Sequence, residues 1–312
     1  MAYQLSEINE RVLKDPADFL ADADASYDRK VKRAADTILA RMDLSPIVLL
    51  SGPSGSGKTT TALKIEEELE KRGIETHTVS LDNYYKTLNL KTCPRTPDGS
   101  IDFESPQLLD LELLDETFTR LSRGEKVIIP HFEFARQMRN DAMGHPLQLK
   151  KNEIAIYEGI HALGPLVAGP HPEATKVYIS ARSDVLDGEK RVFKGTWMRL
   201  TRRCVRDYNF RGTDVVDTLA MWTNVRRGEK IYISPYKGMA DVTVDSALPY
   251  EVSVMKDYAL PILGAVPQDN ARRSELIQLT AAFDYFEALD PQLVPKNSLI
   301  REFIGGGSYH YK

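Results

Sequence analysis

Between residues 46 and 181 the chain alternates short apolar runs with segments of helical spacing. "PIVLLSG", from Pro46 to Gly52, is an apolar run with β-branched members and reads as a buried strand. "KTTTALKIEEELEKRG" follows as a helix closed by Gly73 at its C-terminal cap. "THTVSLD" reads as a second strand, and residues 87–101 form a loop rich in turn residues. "PQLLDLELLDETFTRLSRG" predicts a helix from near Pro106 to Gly124, and "KVIIPHF", "EIAIYEG" and "TKVYISA" predict further strands. Strands alternating with helices imply a parallel sheet covered on both faces.

The flanks have a different pattern. Asp15-Pro16 is a helix start, a capping side chain followed by proline at the first helical position. Val31, Ala35, Ile38, Leu39 and Met42 then keep helical spacing up to Pro46. After Pro249 the chain turns mostly helical, with Leu276, Leu279, Phe283, Phe286 and Leu289 on one apolar stripe. "GGGSY" near the end reads as flexible or as a tight turn. The expected organisation is an N-terminal helical extension over 1–45, a central domain over 46–262 and a C-terminal helical extension over 263–312.

Composition changes this picture little. The 312 residues, 42% hydrophobic and 28% charged, suit an ordinary globular core. A formal net charge of −4 argues against a general nucleic-acid binder. Cys93 and Cys204 have no paired spacing, which suggests a reduced compartment. "MAYQLSEINERVLKD" carries acids where a signal peptide needs an apolar core, and no apolar run approaches a membrane span. A cytoplasmic protein with no membrane partner is expected.

The sharpest chemical signal is "GPSGSGKT", Gly52 to Thr59, which matches G-x-x-x-x-G-K-[ST] in full. Glycines let backbone N–H groups close around an anion, and the following helix N-terminus adds partial positive charge. Gly52, Ser54, Gly55, Ser56, Gly57, Lys58, Thr59 and Thr60 are the expected nucleotide contacts. Lys58 would reach the outer phosphates and the Thr59 hydroxyl would ligate Mg²⁺. ATP with Mg²⁺ is the implied ligand. The fold expectation becomes α/β: a P-loop NTPase-type parallel sheet with helices on both faces plus the two helical extensions.

"RLTRRCVRDYNFR", residues 199–211, places five arginines in thirteen positions. On a helix, Arg199, Arg202, Arg203 and Arg206 share one face, and like charges at that spacing repel. Either this face is a solvated surface or an anion sits against it. A transferring phosphoryl group is such an anion, so an arginine lid over about 195–213 is expected to close on the phosphates.

An acceptor must lie close by. Asp82 ends "SLD" and is either a general base or metal group, or a cap for the next helix. Glu158 ends "IAIYE" and is either a metal or water contact beside the triphosphate or a loop carboxylate. "DFESP" and "PHFEFARQMR" put rings and carboxylates at the same sheet edge; Phe132 and Phe134 could stack a base or could be core.

Together the P-loop, "SLDNYY", "DFESP", "PHFEFARQMR", "YEGIHAL" and "RLTRRCVRDYNFRG" resemble the uridine kinase and phosphoribulokinase family of P-loop kinases, in order and spacing, over about residues 46–250. "VRRGEKIYISPYKGMADVTVDSALPYE" with "NSLIREFIGGGSY" extends the resemblance to a bacterial uridine kinase-like nucleoside kinase branch. The resemblance implies Asp82 as the base activating a 5′-hydroxyl and Tyr85 as a wall of the acceptor pocket. It implies Glu104 on the ribose hydroxyls, where uridine kinases have an aspartate. It implies Glu158 at the metal, Arg203 at the nucleoside, and Arg206 and Arg211 at the phosphates. Lys58, Asp82 and Arg206 would carry the catalysis.

The base-reading positions depart from that pattern. Phe132 stands for a tyrosine, Gln137 for a histidine, Thr213 for a lid arginine and Met221 for a glutamine. An altered or relaxed base preference is therefore expected. The leading expectation is an ATP-dependent nucleoside 5′-kinase with a small-molecule acceptor, acting as a homo-oligomer. A kinase for a sugar phosphate or pantothenate is the alternative, and a nucleotide-dependent nucleic-acid-binding protein the alternative of another class.

Overall fold

The structure, a computed structural model, describes residues 2–311. Five parallel strands form its centre: β1 (Ile47–Ser51), β2 (Glu75–Ser80), β3 (Glu153–Glu158), β4 (Thr175–Ser180) and β5 (Val242–Asp245). Their order is β5-β4-β1-β3-β2. The crossover from β1 to β2 leaves room for β3, which makes a topological switch at the carboxyl ends, where such sheets bind ligands.

Every residue of β1 is buried, and the strand's alternation assigns its side chains to two layers. Val48 and Leu50 enter one apolar cluster with α1 (Leu5–Lys14), α2 (Pro16–Leu39) and α3 (Lys58–Glu70). Ile47 and Leu49 enter the other, with Phe118 and Leu121 of α4 (Leu111–Ser122). The first cluster runs without a break from Leu5 to Ile304. Both ends of the chain therefore share one core with the sheet. Asp15 accepts from the Asp18 N–H ahead of Pro16, the start signal at work.

Three local readings are corrected. "KVIIPHF" supplies no strand to the main sheet: Val127–Ile129 pairs antiparallel with His145–Leu147, and Phe132–Glu133 with Met138–Arg139. Both pairs are separate two-stranded sheets outside the main one. Pro106 opens only a short 3-10 turn, and α4 begins after Asp110, whose side chain accepts from the Leu113 N–H. "SLD" leaves the strand at Ser80, so Asp82 lies in a 3-10 turn over Leu81–Tyr84. β5 and a small sheet of Ala2–Gln4, Asp184–Asp187 and Lys190–Phe193 carried no signal recognised in the sequence.

Among the described residues no helix is long and apolar enough to cross a membrane. Cys93 and Cys204 are free thiols, and burial pushes the Cys204 thiol up to about 12.

Candidate active site

The chain from Gly52 to Gly57 turns between β1 and α3. Gly55 and Gly57 take φ of 73° and 77°, a region open to glycine and strained for other residues. A Cβ at Gly52 would come 2.5 Å from the Ile179 carbonyl, and one at Gly55 would come 2.8 Å from that of Arg199. The loop is held from outside as well. Arg199 donates to the Ser54 carbonyl (3.1 Å), Arg202 to that of Gly55 (3.1 Å) and Ser246 to that of Ser56 (2.5 Å). Among the described residues the buried Ser56 hydroxyl has no partner. Thr59 makes no side-chain hydrogen bond among the described residues, and Lys58 lies 3.8 Å from Glu158. A cradle of positive-φ glycines, an orphaned hydroxyl and a lightly engaged lysine fits a phosphate chain.

Thr60, expected at the nucleotide, is engaged elsewhere. Its N–H (3.2 Å) and hydroxyl (2.6 Å) both donate to Glu302, and the C-terminal Tyr311 hydroxyl lies 3.2 Å from the Thr60 hydroxyl. The physical reason is the open N-terminus of α3, whose N–H groups and dipole attract an anion. Nothing in the sequence near Thr60 announces a carboxylate 242 residues away.

The arginine stripe needs a larger correction. It lies on α5 (Gly195–Phe210), and most of that helix is buried. Arg199 and Arg202 are fully buried. Arg199 makes a two-pronged pair with Glu229 (2.7 and 2.9 Å), and Arg202 pairs with Glu251. Arg206 bonds Asp207 (2.8 Å), and Arg203 lies 3.3 Å from the same carboxylate. Carboxylates of the chain itself, not phosphate, relieve the crowding on Arg199 and Arg202. This half of the helix is a structural wall behind the P-loop, not a lid. Arg203, Arg206 and Arg211 remain grouped about Asp207, with Arg211 exposed at the helix end.

Glu229 also takes Arg182 (2.7 Å) and Arg226. Burial pushes its carboxyl up, but the hydrogen bonds and charge of Arg199, then Arg226, hold it down at about 2. Removing one member of such a pair strands a buried charge. Glu229→Leu is therefore expected to lower unfolding stability by about 3–5 kcal/mol in urea titrations, and Arg199→Met with Glu229→Leu to regain most of it. Equal losses in the single and double variants would show that the charge pair is not what the site protects.

Beside the P-loop opens a cavity of about 300 Å³. Asp82, Tyr85, Glu104, Phe132, Gln137 and Arg203, the six residues expected at the acceptor, all line it, together with Ser54 of the P-loop. Phe132 is buried yet forms wall, edge-on to Tyr85 (5.6 Å between ring centres) and to Phe134 (5.3 Å), which is exposed. Gln137 ends a 3-10 turn at φ 51°, and its carbonyl accepts from the Leu88 N–H (3.1 Å), which fixes the loop. Arg203 reaches from α5 to donate to the Ser54 hydroxyl (3.0 Å), bridging cavity and P-loop. Thr213 and Met221 are not on its wall. Lys86, Leu88, Phe103 and Ile160 are wall residues that sequence reasoning did not single out.

The carboxylates here are held toward their neutral forms. Burial pushes Glu104 up to about 7 against the pull of Arg203, and Glu158 up to about 7 against the pull of Lys58. Burial also raises Asp82, with Lys58 and Arg211 opposing. Such groups mark functional clefts. Glu104 sits there because α6 (Val215–Gly228) passes it closely: a Cβ at Gly228 would fall 2.3 Å from the Glu104 Cβ.

Residues 47–253 match the Phosphoribulokinase / Uridine kinase family. The chain belongs to this family. A uridine kinase from Schizosaccharomyces pombe is 34% identical over 173 residues, 55% of this chain and 34% of that protein. A uridine kinase from Staphylococcus aureus is 28% identical over 217 residues, 68% of this chain and 93% of that protein. The chain thus spans about a third of the fission-yeast relative and nearly all of the bacterial one. Among solved structures, a Silicibacter sp. protein assigned as a fructose transport system kinase superposes with a TM-score of 0.51 at 21% identity, covering 68% of this chain and 98% of that one. That likeness concerns the fold alone: an all-parallel five-stranded sheet flanked by helices.

Proposed function

We propose that the protein is an ATP-dependent kinase that transfers the γ-phosphoryl group to the 5′-hydroxyl of a nucleoside. The observation that carries this reading is the single cavity that gathers Asp82, Glu104, Phe132 and Gln137 directly against the P-loop. Asp82 accepts the hydroxyl proton, Glu104 holds the ribose hydroxyls, Phe132 stacks the base and Gln137 reads its edge. Tyr85 closes the wall. Arg203 spans acceptor and phosphates, and Lys58, Arg206 and Arg211 serve the phosphates. Thr59 and Glu158 would hold Mg²⁺, whose charge would offset the negative charge that gathers on the phosphates during transfer. Names of the relatives, uridine kinases in both cases, support the acceptor class.

Lys86 on the wall favours a second reading, an acceptor that already carries a phosphate. A nucleic-acid reading needs the arginines in the open, and Arg199 and Arg202 are fully buried. A coupled assay with four ribonucleosides, sugar phosphates and pantothenate separates the enzyme readings. Turnover of a sugar phosphate with no nucleoside turned over would replace the proposal.

The base preference has its own test. A lost hydrogen bond to the base removes about 1–3 kcal/mol, or roughly ten- to two-hundred-fold, of discrimination. Phe132→Tyr with Gln137→His is expected to move kcat/KM toward uridine and cytidine relative to the purine nucleosides. The left-handed backbone at 137 tolerates histidine. If the unaltered protein already prefers uridine sharply and the double variant leaves the ratio unmoved, these two positions do not read the base.

A further inference from the structure

A second cavity, of about 230 Å³, lies behind the acceptor loops. Its wall includes His161, Tyr232, Tyr236, Ser105, Gln107 and Leu166. It is smaller than the roughly 300–1,000 Å³ typical of a drug-sized ligand site. His161 is 2% exposed, both of its ring nitrogens are covered from solvent, and among the described residues neither has a hydrogen-bond partner. Buried polar groups in native proteins are nearly always paired, so an orphaned imidazole on a cavity wall calls for a specific partner. Burial pushes this imidazole down to about 4, so it is neutral and offers one N–H donor and one lone pair.

The rest of the wall narrows the class of ligand. Among the described residues no lysine, arginine, aspartate or glutamate lines it, so a charged molecule has no counterion on this wall. The Tyr232 hydroxyl is spent on Asp102 (3.0 Å), leaving its ring as surface, edge-on to the His161 ring. Ser105 and Gln107 add polar reach at the rim. Aromatic faces with a donor and acceptor fit a flat, uncharged heterocycle.

Two loops separate this cavity from the acceptor pocket and line both. Phe103 and Glu104 face the acceptor pocket, and the next residues, Ser105 and Pro106, face the second cavity. Ile160 and His161 divide in the same way. Asp102 anchors the first loop through Arg227 (2.5 Å) and Tyr232.

We propose that this cavity is a second small-molecule site, taking an uncharged planar heterocycle of free-nucleobase size through His161, and coupled to the acceptor pocket by the shared 102–106 loop. The site itself does not depend on the kinase reading; the coupling does.

The test uses the whole 312-residue chain and four probes: uracil, cytosine, adenine and hypoxanthine, followed by ligand-observed NMR. At least one base is expected to bind, and Leu166→Trp and His161→Leu are each expected to weaken that binding tenfold or more. Leu166 is 47% exposed, so its replacement tests the cavity mouth without touching the core. Gln137→Ala, in the acceptor pocket, is expected to leave the binding unchanged. The site is overturned if no base binds. It is equally overturned if Gln137→Ala rather than Leu166→Trp abolishes binding, or if crystals soaked with the bases show only water on His161. A bound base is expected to shift the acceptor KM threefold or more with the ATP KM unmoved. An unmoved acceptor KM overturns the coupling.

Discussion

Lys58→Ala is expected to lower kcat by about two or more orders of magnitude, the loss typical of a major electrostatic contact in a transition state, while the protein stays folded. Both halves follow from the geometry. Lys58 opens α3, and among the described residues its ammonium has only a 3.8 Å approach to Glu158 and a marginal 3.5 Å contact to the Pro53 carbonyl. It therefore contributes little to holding the loop, which Arg199, Arg202 and Ser246 fasten from outside. Glu158 is the group that could suffer from its removal. That carboxyl already sits near 7 because it is buried, and losing Lys58 pushes it further toward the neutral acid. It takes up a proton instead of standing as an unpaired charge. Single-turnover kinetics on the variant, with a thermal melt as the fold control, measure the two halves separately. Undiminished turnover would take the P-loop out of the mechanism.

The residues that could be read in the sequence are those whose role fixes residue type at short range. Gly55 and Gly57 are needed because the loop bends through positive φ there. Asp15-Pro16 and Gly73 mark helix ends through local backbone chemistry. Four separate motifs carried the six residues expected at the acceptor, and the fold draws all six to the wall of one cavity. What stayed hidden depends on partners far along the chain. The arginines on α5 looked like unbalanced charge because Glu229 and Glu251 lie 30 and 49 residues further on. Glu302 reaches Thr60 across most of the chain. β5 is four residues long, V-T-V-D, too short for its alternation to stand out from a loop. Gly228 had no visible purpose until Glu104 was seen packed on it.

Asp82→Asn is expected to keep nucleotide binding and to lose roughly two to four orders of magnitude in kcat, the range of positioned acid–base catalysis. The 3-10 turn that follows β2 sets the residue in place: the Ser80 hydroxyl accepts from the Asp82 N–H (3.2 Å). Its carboxylate lines the acceptor cavity and makes no hydrogen bond among the described residues, so both oxygens are open to a substrate hydroxyl. Asparagine matches its shape but cannot take the proton. The pH profile gives a second readout. Burial raises the Asp82 carboxyl above the usual aspartate range, and a general base works only when ionised. Wild-type kcat/KM should therefore fall as pH drops through that raised value, and the fall should steepen because Glu104 gains a proton near 7. In Asp82→Asn the contribution of one proton should disappear from that limb while the other remains. Two outcomes would remove Asp82 as the base. One is a collapse of ATP–Mg²⁺ affinity, which would make it a metal group. The other is an acid limb with the same steepness in both proteins, which would give the proton to another carboxylate of the cavity, Glu104 first because it shares that wall.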